Sequence, residues 1–384
     1  MPSSAIGTVR LGSDVLLGSR RLHGSRVGVV CNHASVDLGF RHIIDRLRET
    51  PGVHLAAIFG PQHGFRSDVQ DNMVETPHGD DATRRVPVYS LYSETREPTA
   101  EMLRDLDVLV IDLQDIGARI YTYIYTMANC LRASARHGVP VIVCDRPNPI
   151  GGVQVEGASL SRGFESFVGQ FPIPMRHGMT IGELAQLFNA ERKIGADLTV
   201  VKMDGWRRDQ WFDQTGLTWI NPSPNMRNLN QATLYPGVCL LEPTNVSVGR
   251  GTNTPFEVIG APWLDAKRLA VQKRERDQKR GGCTSGVEHR IDIGEPEEEP
   301  PPRRGRRSRH AAFAGRNPRA QADARRGVGD SACHARADAE AARGGQSLPR
   351  IRTRLRVVTR TRAPVGPEGT ATARRSIRRT PAGR

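Results

Sequence analysis

Short apolar runs alternate with amphipathic stretches through the first 145 residues. An amphipathic helical pattern spans residues 42–49. Runs rich in valine and isoleucine lie at 27–31, 55–60, 86–91, 108–113 and 140–145. Alternating strands and helices are typical of a parallel sheet, and strands that are apolar throughout need helices on both faces of the sheet. The pattern therefore predicts an α/β fold built on a Rossmann-like parallel sheet.

Two further helices are indicated by their ends. A long helical pattern runs from Tyr121 to about His137, and Gly138 is suited to end it in a left-handed conformation. Further along the chain, Thr180 and Glu183 have the spacing of a capping box. This spacing predicts that a second helix begins directly after Thr180.

The pattern becomes less regular after residue 170. Residues 198–203 still resemble a strand, but residues 206–263 are rich in Pro, Gly and Asn, which predicts ordered loops rather than regular elements. The predicted organisation has three parts: a Rossmann-like domain at 1–170, the start of a smaller, truncated, loop-rich domain at 171–268, and a tail at 269–384.

Charge separates the tail from the rest of the chain. The 384 residues carry a formal net charge of +14, but residues 271–384 alone carry +15 and residues 1–270 carry −1. The tail is crowded with Arg, Ala, Gly and Pro, and such a composition buries too little apolar surface to offset its conformational entropy. The abrupt change favours a frameshifted reading of a GC-rich gene. A genuine disordered basic tail and a folded domain are the alternatives.

The sequence lacks the motifs that are typical of metal sites and nucleotide sites. No C-x-x-C pair, metal-ligand spacing or glycine-rich nucleotide motif occurs, so neither a metal nor a cofactor is expected. Cys31 and Cys144 end apolar runs and are expected to be buried. No signal peptide or membrane span is visible, which predicts a cytoplasmic protein that does not enter the membrane, or an extracytoplasmic one if the true start lies upstream.

Polar residues at the ends of the predicted strands are the first candidates for a site. In an open parallel sheet, ligands bind beyond the carboxyl ends of the strands, where the loops surround a crevice. The polar side chains in these positions include Asn32, Gln62, His63, Gln114, Asp115 and Arg146.

Five segments are too polar and too specific to be simple connections. They lie at 61–65, 114–123, 145–152, 176–185 and 222–257. In this order they resemble the NamZ-like family of exo-β-N-acetylmuramidases, formerly a domain of unknown function, from Val9 to about Leu269. The resemblance implies release of terminal β-1,4-linked N-acetylmuramic acid from the non-reducing end of peptidoglycan fragments. It also implies a Rossmann-like domain joined to a smaller domain that continues past Trp263, whereas the family pattern here is expected to stop after Leu269.

Glycoside hydrolysis uses a proton donor and a group that stabilises an oxocarbenium-like centre, usually two carboxyl groups. Asp115 ends a predicted strand at the crevice and is the first catalytic candidate, with a structural capping role as its alternative. The resemblance implies that many relatives carry Glu at the position of Gln62, and a glutamine cannot donate that proton. Glu75 or His63 is then expected to supply it, or the activity is weakened. The other carboxylates considered are Asp145, Glu156, Glu242 and Glu257.

Muramic acid carries a lactyl carboxylate, and arginine binds carboxylates through two parallel hydrogen bonds. The segments that resemble the family supply four arginines, together with polar and aromatic side chains that suit a sugar. The predicted substrate-binding residues are Asn32, Gln114, Arg119, Tyr121, Arg146, Arg176, His177, Asn225, Asn245 and Arg250.

Two other functions compete with the hydrolase. A non-catalytic peptidoglycan-sugar-binding remnant is the main alternative, because of Gln62 and the altered tail. Nucleic-acid binding through the arginine-rich tail is disfavoured, because aromatic residues are not interleaved with the arginines. The expected partner is therefore a peptidoglycan-derived sugar, with no nucleic acid and no membrane, and the sequence indicates no particular oligomeric state.

Overall fold

A computed structural model describes residues 7–67, 78–81, 86–269, 287–293 and 351–358. A seven-stranded sheet is the centre of the fold. Its strands are β1 (Arg26–Cys31), β2 (His54–Gly60), β3 (Gly79–Asp81), β4 (Val86–Ser90), β5 (Val108–Asp112), β6 (Val141–Cys144) and β7 (Leu198–Val201). They are arranged in the order β3-β4-β2-β1-β5-β6-β7, in which only the edge strand β3 is antiparallel to its neighbour.

The six parallel strands have the order of a doubly wound Rossmann sheet, with the chain reversing direction across the sheet between β1 and β5. This confirms the predicted fold class. The last parallel strand, β7, comes from the segment after residue 170 and pairs with β6.

Helices pack on both faces of the sheet. They are α1 (Gly12–Leu17), α2 (Ile43–Glu49), α3 (Ala100–Leu103), α4 (Tyr123–His137), α5 (Ile181–Glu191) and α6 (Leu229–Val238). Strand β1 contributes to both sides, since Val27 and Val29 pack in a cluster with Leu47 of α2, and Val30 packs in a second cluster with Leu131 of α4. Alternate side chains of a strand point to opposite faces, so the strand has to be apolar throughout.

The predicted helix ends are present. Gly138 follows α4 with φ of 69°, the left-handed conformation that glycine adopts without strain. At the start of α5, Thr180 accepts a hydrogen bond from the Glu183 amide, and the Glu183 carboxylate accepts one from the Thr180 amide. The buried Cys31 and Cys144 are likewise as expected.

The region predicted to consist of loops contains a helix. Helix α6 lies inside residues 206–263, and Asn228 caps it by accepting a hydrogen bond from the Gln231 amide at 2.9 Å. Pro236 lies in its last turn. The prediction of loops alone was therefore wrong here, because asparagine and proline mark the two ends of a helix as readily as they mark turns.

A second, parallel sheet includes strands from the tail. It comprises β8 (Val258–Gly260), β9 (Val287–Ile293) and β10 (Ile351–Val358), in the order β8-β10-β9. A tail without regular structure was expected, whereas β9 and β10 are strands. Both segments contain branched apolar residues between polar ones. The remainder of the tail lies outside the described residues. Within the described part of the chain, no helix is long and apolar enough to cross a membrane.

Candidate functional site

The carboxyl ends of β1 and β5 meet where the strand order reverses, but side chains close the crevice at this point. The Asn32 side chain donates to the Gln114 carbonyl at 3.2 Å and accepts from the Gln114 amide at 3.3 Å. It also reaches the carbonyl of Pro222 at 3.4 Å. Asn32 is fully buried, and Nε2 of the Gln114 side chain donates to the carbonyls of Asp115 and Pro147. Both predicted binding residues therefore join the chain segments together at this end of the sheet.

A buried ion pair completes this closed end. Arg146 donates from Nε and Nη2 to the two carboxylate oxygens of Asp112 at 2.6 and 2.9 Å, and also to the carbonyls of Ala34 and Val36. Arg146 is 4% exposed and Asp112 is not exposed at all. The guanidinium predicted to bind substrate is thus occupied by internal partners.

Two other predicted arginines also bond within the protein. Arg176 donates to Glu156 at 2.7 Å and stacks on Trp211 at 5.1 Å from the ring centroid. Arg119 donates to the carbonyls of Ala158 and Ile173 at 2.7 and 2.8 Å. These contacts hold the loop that follows β6 against the segment before α5, so both guanidinium groups are bonded to internal partners.

An open pocket of about 180 Å³ lies beside this closed end, between the end of β2, the start of α4 and the segment around α6. Five predicted site residues line it: Gln62, His63, Tyr121, Asn225 and Arg250. Further polar side chains line it outside the predicted set of site residues: Tyr92, Thr122, Tyr123, Ser223, Tyr235 and Glu242.

Local hydrogen bonds fix the side chains on the strand side of the pocket. Gln62 lies two residues after the end of β2, and its side-chain oxygen accepts from the Thr122 hydroxyl at 2.9 Å. Tyr123 donates from its hydroxyl to the Pro222 carbonyl at 2.7 Å and so ties α4 to the opposite wall. His63 has φ of 72°, a left-handed conformation that non-glycine residues adopt at a cost of about 1–3 kcal/mol. Such strain is concentrated at sites where function requires it.

Glu242 is a pocket-lining carboxylate, and it is paired with Arg250. Arg250 Nε donates to Glu242 Oε1 at 2.6 Å, and the guanidinium lies 4.8 Å from the centroid of the Phe256 ring. The two side chains are 27% and 29% exposed, so the pair faces the cavity while Asp112 and Arg146 do not. Glu242 was considered from the sequence as one carboxylate among several, and no sequence pattern distinguished it.

Asp115 and His177 are buried together outside the pocket lining. Asp115 Oδ2 accepts from the Gly117 amide at 2.8 Å and lies 3.4 Å from His177 Nε2. The Met179 amide donates to His177 Nδ1 at 3.2 Å, which places the proton of a neutral ring on Nε2. Among the described residues, neither Asp115 Oδ1 nor His177 Nε2 has a hydrogen-bond partner.

Two tyrosines that line the pocket, Tyr121 and Tyr123, keep their protons. Burial raises the pKa of Tyr121 well above its usual value, and the nearby Tyr123 and Asp115 raise it further. Burial also raises the pKa of Tyr123, again with a contribution from Asp115. Both hydroxyls are therefore hydrogen-bond donors at any physiological pH.

The remaining candidates are placed elsewhere. Asn245 is exposed and does not line the pocket. Glu75 lies outside the described residues. In the described part of the chain, no group of three or more His, Cys, Asp or Glu side chains is placed to hold a metal ion.

Two family models cover most of this fold. The model of the N-terminal part of exo-β-N-acetylmuramidase NamZ matches residues 27–230, and the model of its C-terminal part matches residues 233–288. The chain belongs to the NamZ family. The C-terminal match continues past Leu269, so the expectation that the family pattern stops there was wrong.

One relative is the peptidoglycan β-N-acetylmuramidase NamZ of Bacillus subtilis (strain 168). It is 49% identical to this chain over 263 residues, which are 68% of this chain and 63% of the relative. This NamZ-family chain thus matches slightly less than two thirds of that relative's length.

Two crystal structures of DUF1343 family proteins from Bacteroides fragilis NCTC 9343 are similar in fold to this NamZ-family chain. One has a TM-score of 0.66 and 42% identity, over 72% of this chain and 70% of its own. The other has a TM-score of 0.59 and 34% identity, over 67% of this chain and 69% of its own.

Proposed function

We propose that this protein is an exo-β-N-acetylmuramidase that releases terminal β-1,4-linked N-acetylmuramic acid from the non-reducing end of peptidoglycan fragments. The observation that carries the proposal is the pocket, in which a carboxylate, a guanidinium, two amides and protonated tyrosines surround one small cavity. Membership of the NamZ family and the name of the Bacillus subtilis relative supply the reaction and the substrate class.

The size of the pocket suits one sugar unit. Pockets for drug-sized ligands hold roughly 300–1,000 Å³, whereas this one is about 180 Å³. The bond between Arg250 and Glu242 uses Nε. The terminal nitrogens of Arg250 form the edge that binds a carboxylate with two parallel hydrogen bonds, which suits the lactyl group of muramic acid. We assign Asn225 and the Tyr121 hydroxyl, which line the pocket, to the acetamido and hydroxyl groups.

Glu242 supplies the negative charge that the reaction needs. Cleavage of a glycosidic bond places positive charge on the ring, and a carboxylate in the pocket stabilises that transition state. Asp115 does not line the pocket, so we assign it a positioning role: it accepts from the Gly117 amide and lies beside His177, in the segment that leads to Tyr121 and Tyr123.

The proton for the leaving oxygen must come from another group, since Gln62 has none to give. His63 lines the pocket next to Gln62 and is one candidate donor. Glu75, in the neighbouring segment, is the other. A weak donor makes the enzyme slow without removing the activity.

The test is release of the chromophore from a chromogenic β-muramide by the full chain, with Glu242→Gln as the matched variant. Hydrolysis by the unaltered protein and its loss in the variant are expected. Binding of the muramide in calorimetry without any turnover would instead identify a sugar-binding protein that has lost catalysis. Neither binding nor turnover would refute the proposal for this pocket.

A further inference from the structure

A substrate with several sugars cannot fit inside the pocket. The pocket accommodates one unit, so the rest of the fragment has to lie on the neighbouring surface. A shallow groove of about 760 Å³ adjoins the pocket, and Phe167 lines both. The groove is therefore the continuation of the pocket past the Phe167 side chain.

Phe167 is held firmly in place between the two. Its ring lies 5.6 Å from that of Tyr92, measured between centroids. The Arg96 guanidinium covers both rings, at 3.9 Å from the Tyr92 centroid and 5.5 Å from the Phe167 centroid. An aromatic ring fixed in this way is a suitable platform for the face of a sugar leaving the pocket.

Two of the four basic side chains of the groove are partly neutralised. Arg132 and Arg136 project from α4, and both bind the carboxylate of Glu97, Arg132 at 3.0 Å. Two guanidinium groups share this carboxylate, so one positive charge remains. Glu165 is the acidic residue that lines the groove.

The other two cations are Arg192 and Lys193, directly after α5. Both are exposed, and no carboxylate of the described residues forms an ion pair with either of them. Basic residues at a helix end stabilise the helix dipole, which by itself explains their presence there. It does not explain why Arg192 lies over the ring of Phe171, at 5.4 Å, on the floor of a groove that leads to the pocket.

We propose that this groove binds a carboxylate carried by the part of the substrate beyond the scissile bond. Peptidoglycan repeats muramic acid at every second sugar, so a fragment that fills the pocket presents its next lactyl group, or the peptide attached to it, further along the same chain. Arg192 and Lys193 bind that carboxylate, and the aromatic rings support the sugars. This inference rests on the proposed function of the pocket.

The experiment compares two substrates on the full chain. The chromogenic β-muramide occupies the pocket alone, whereas a β-1,4-linked tetrasaccharide with muramic acid at its non-reducing end also extends into the groove. The double variant Arg192→Gln/Lys193→Gln is expected to raise the KM for the tetrasaccharide about five- to tenfold, with kcat and the muramide kinetics unchanged. The control double variant Arg20→Gln/Arg21→Gln removes two exposed arginines next to α1, which packs on the opposite face of the sheet.

Chemical variants of the tetrasaccharide show which group is recognised. When its lactyl carboxylates are converted to amides, the double variant and the unaltered protein should have the same KM. If only fragments with peptide stems respond to the double variant, the carboxylate comes from the peptide, and the groove is still the site. An unchanged KM for every carboxylate-bearing fragment would overturn the inference, as would an equal loss with the amidated fragment.

Binding measurements separate the hydrolase activity of the pocket from carboxylate binding in the groove. If the chromogenic muramide is not hydrolysed at all, calorimetric binding of the same tetrasaccharides replaces the kinetics. A weaker affinity of the double variant for carboxylate-bearing fragments alone would then support the groove without the hydrolase. Equal affinities would refute the groove.

Discussion

The closed crevice beyond β1 and β5 and the pocket beside it differ in how their charged groups are paired. Arg146 has four internal acceptors and is buried with Asp112, whereas Arg250 has Glu242 beside the pocket and remains about a quarter exposed. Both arginines follow strands or turns in distinctive segments of the sequence. A polar residue at the edge of a parallel sheet therefore belongs to the scaffold when internal partners satisfy its hydrogen-bonding groups. It belongs to the site when it faces the cavity with unused hydrogen-bonding groups.

The largest effect is expected at the closed end. Asp112→Asn leaves the buried Arg146 guanidinium without its counter-charge, which typically costs about 3–5 kcal/mol of folding free energy. Urea denaturation followed by circular dichroism measures the loss. Asp107→Asn is the matched control, because Asp107 forms an ion pair with Arg26 on the surface, and its stability should be nearly that of the unaltered protein. Equal losses of unfolding free energy in the two variants would show that the buried pair of Asp112 and Arg146 contributes no more than a surface pair.

The next largest effect is expected at the pocket, on activity rather than on stability. Glu242→Gln removes the pocket carboxylate and should lower kcat for a β-muramide by at least about 10²-fold, the scale typical of lost transition-state charge stabilisation. Its urea midpoint should stay close to that of the unaltered protein, since the side chain is partly exposed. Glu49→Gln, at an exposed position of α2 away from the pocket, serves as the control for activity. Unfolding of Glu242→Gln at low urea would assign Glu242 to the scaffold.

A smaller change, and a gain, is expected from Gln62→Glu. The new carboxyl group can donate a proton to the leaving oxygen, and general acid assistance contributes about 10²- to 10⁴-fold where it is fully developed. We expect at least a tenfold rise in kcat, with little change in stability because the replacement is nearly isosteric. If the rate does not change while Glu75→Gln abolishes it, position 62 binds substrate and Glu75 donates the proton.

The smallest effect concerns Asp145, also at the closed end, which accepts from the Gly182 amide and the Thr180 hydroxyl at 2.8 and 3.0 Å. Burial raises the pKa of Asp145 to about 6. The folded state therefore holds this proton more tightly than the unfolded state, so stability falls as the pH rises from about 4 to 6. Between pH 5 and 6 the loss is at most about 1 kcal/mol.

The variant Asp145→Asn isolates this contribution, because other groups titrate in the same range. The stability of the unaltered protein relative to the variant should decrease between pH 5 and pH 6, as measured by urea denaturation. A relative stability that increases over this interval would mean that Asp145 is ionised and stabilising in the folded protein.

The sequence predicted the elements whose signals are local. Strands such as β1 and β5 are apolar throughout, Gly138 ends α4, and Thr180 with Glu183 begins α5, because each signal depends on neighbouring residues only. The strand ends also located Gln62 near the site. Helix α6 was missed because Asn228 at its start and Pro236 near its end are also turn signals.

The sequence could not separate scaffold from site, because the deciding partners are distant along the chain. Asn32 is closed off by Pro222, 190 positions away, and Arg146 by Asp112, 34 positions away. Glu242 and Arg250 are close in sequence, but only the packing of Tyr235 in α6 against Tyr121, just before α4, places them around a cavity. These tertiary contacts leave no signal in a single sequence.

Exo-acting release of muramic acid is tested most directly by digestion of two glycan fragments that differ only at the non-reducing end. One ends in β-1,4-linked N-acetylmuramic acid, and the other carries an additional N-acetylglucosamine on that residue. Free N-acetylmuramic acid should be released from the first fragment and nothing from the second, because the pocket accepts one terminal muramic acid. Cleavage of the second fragment, or no release from the first by a folded protein that carries an intact Glu242, would contradict it.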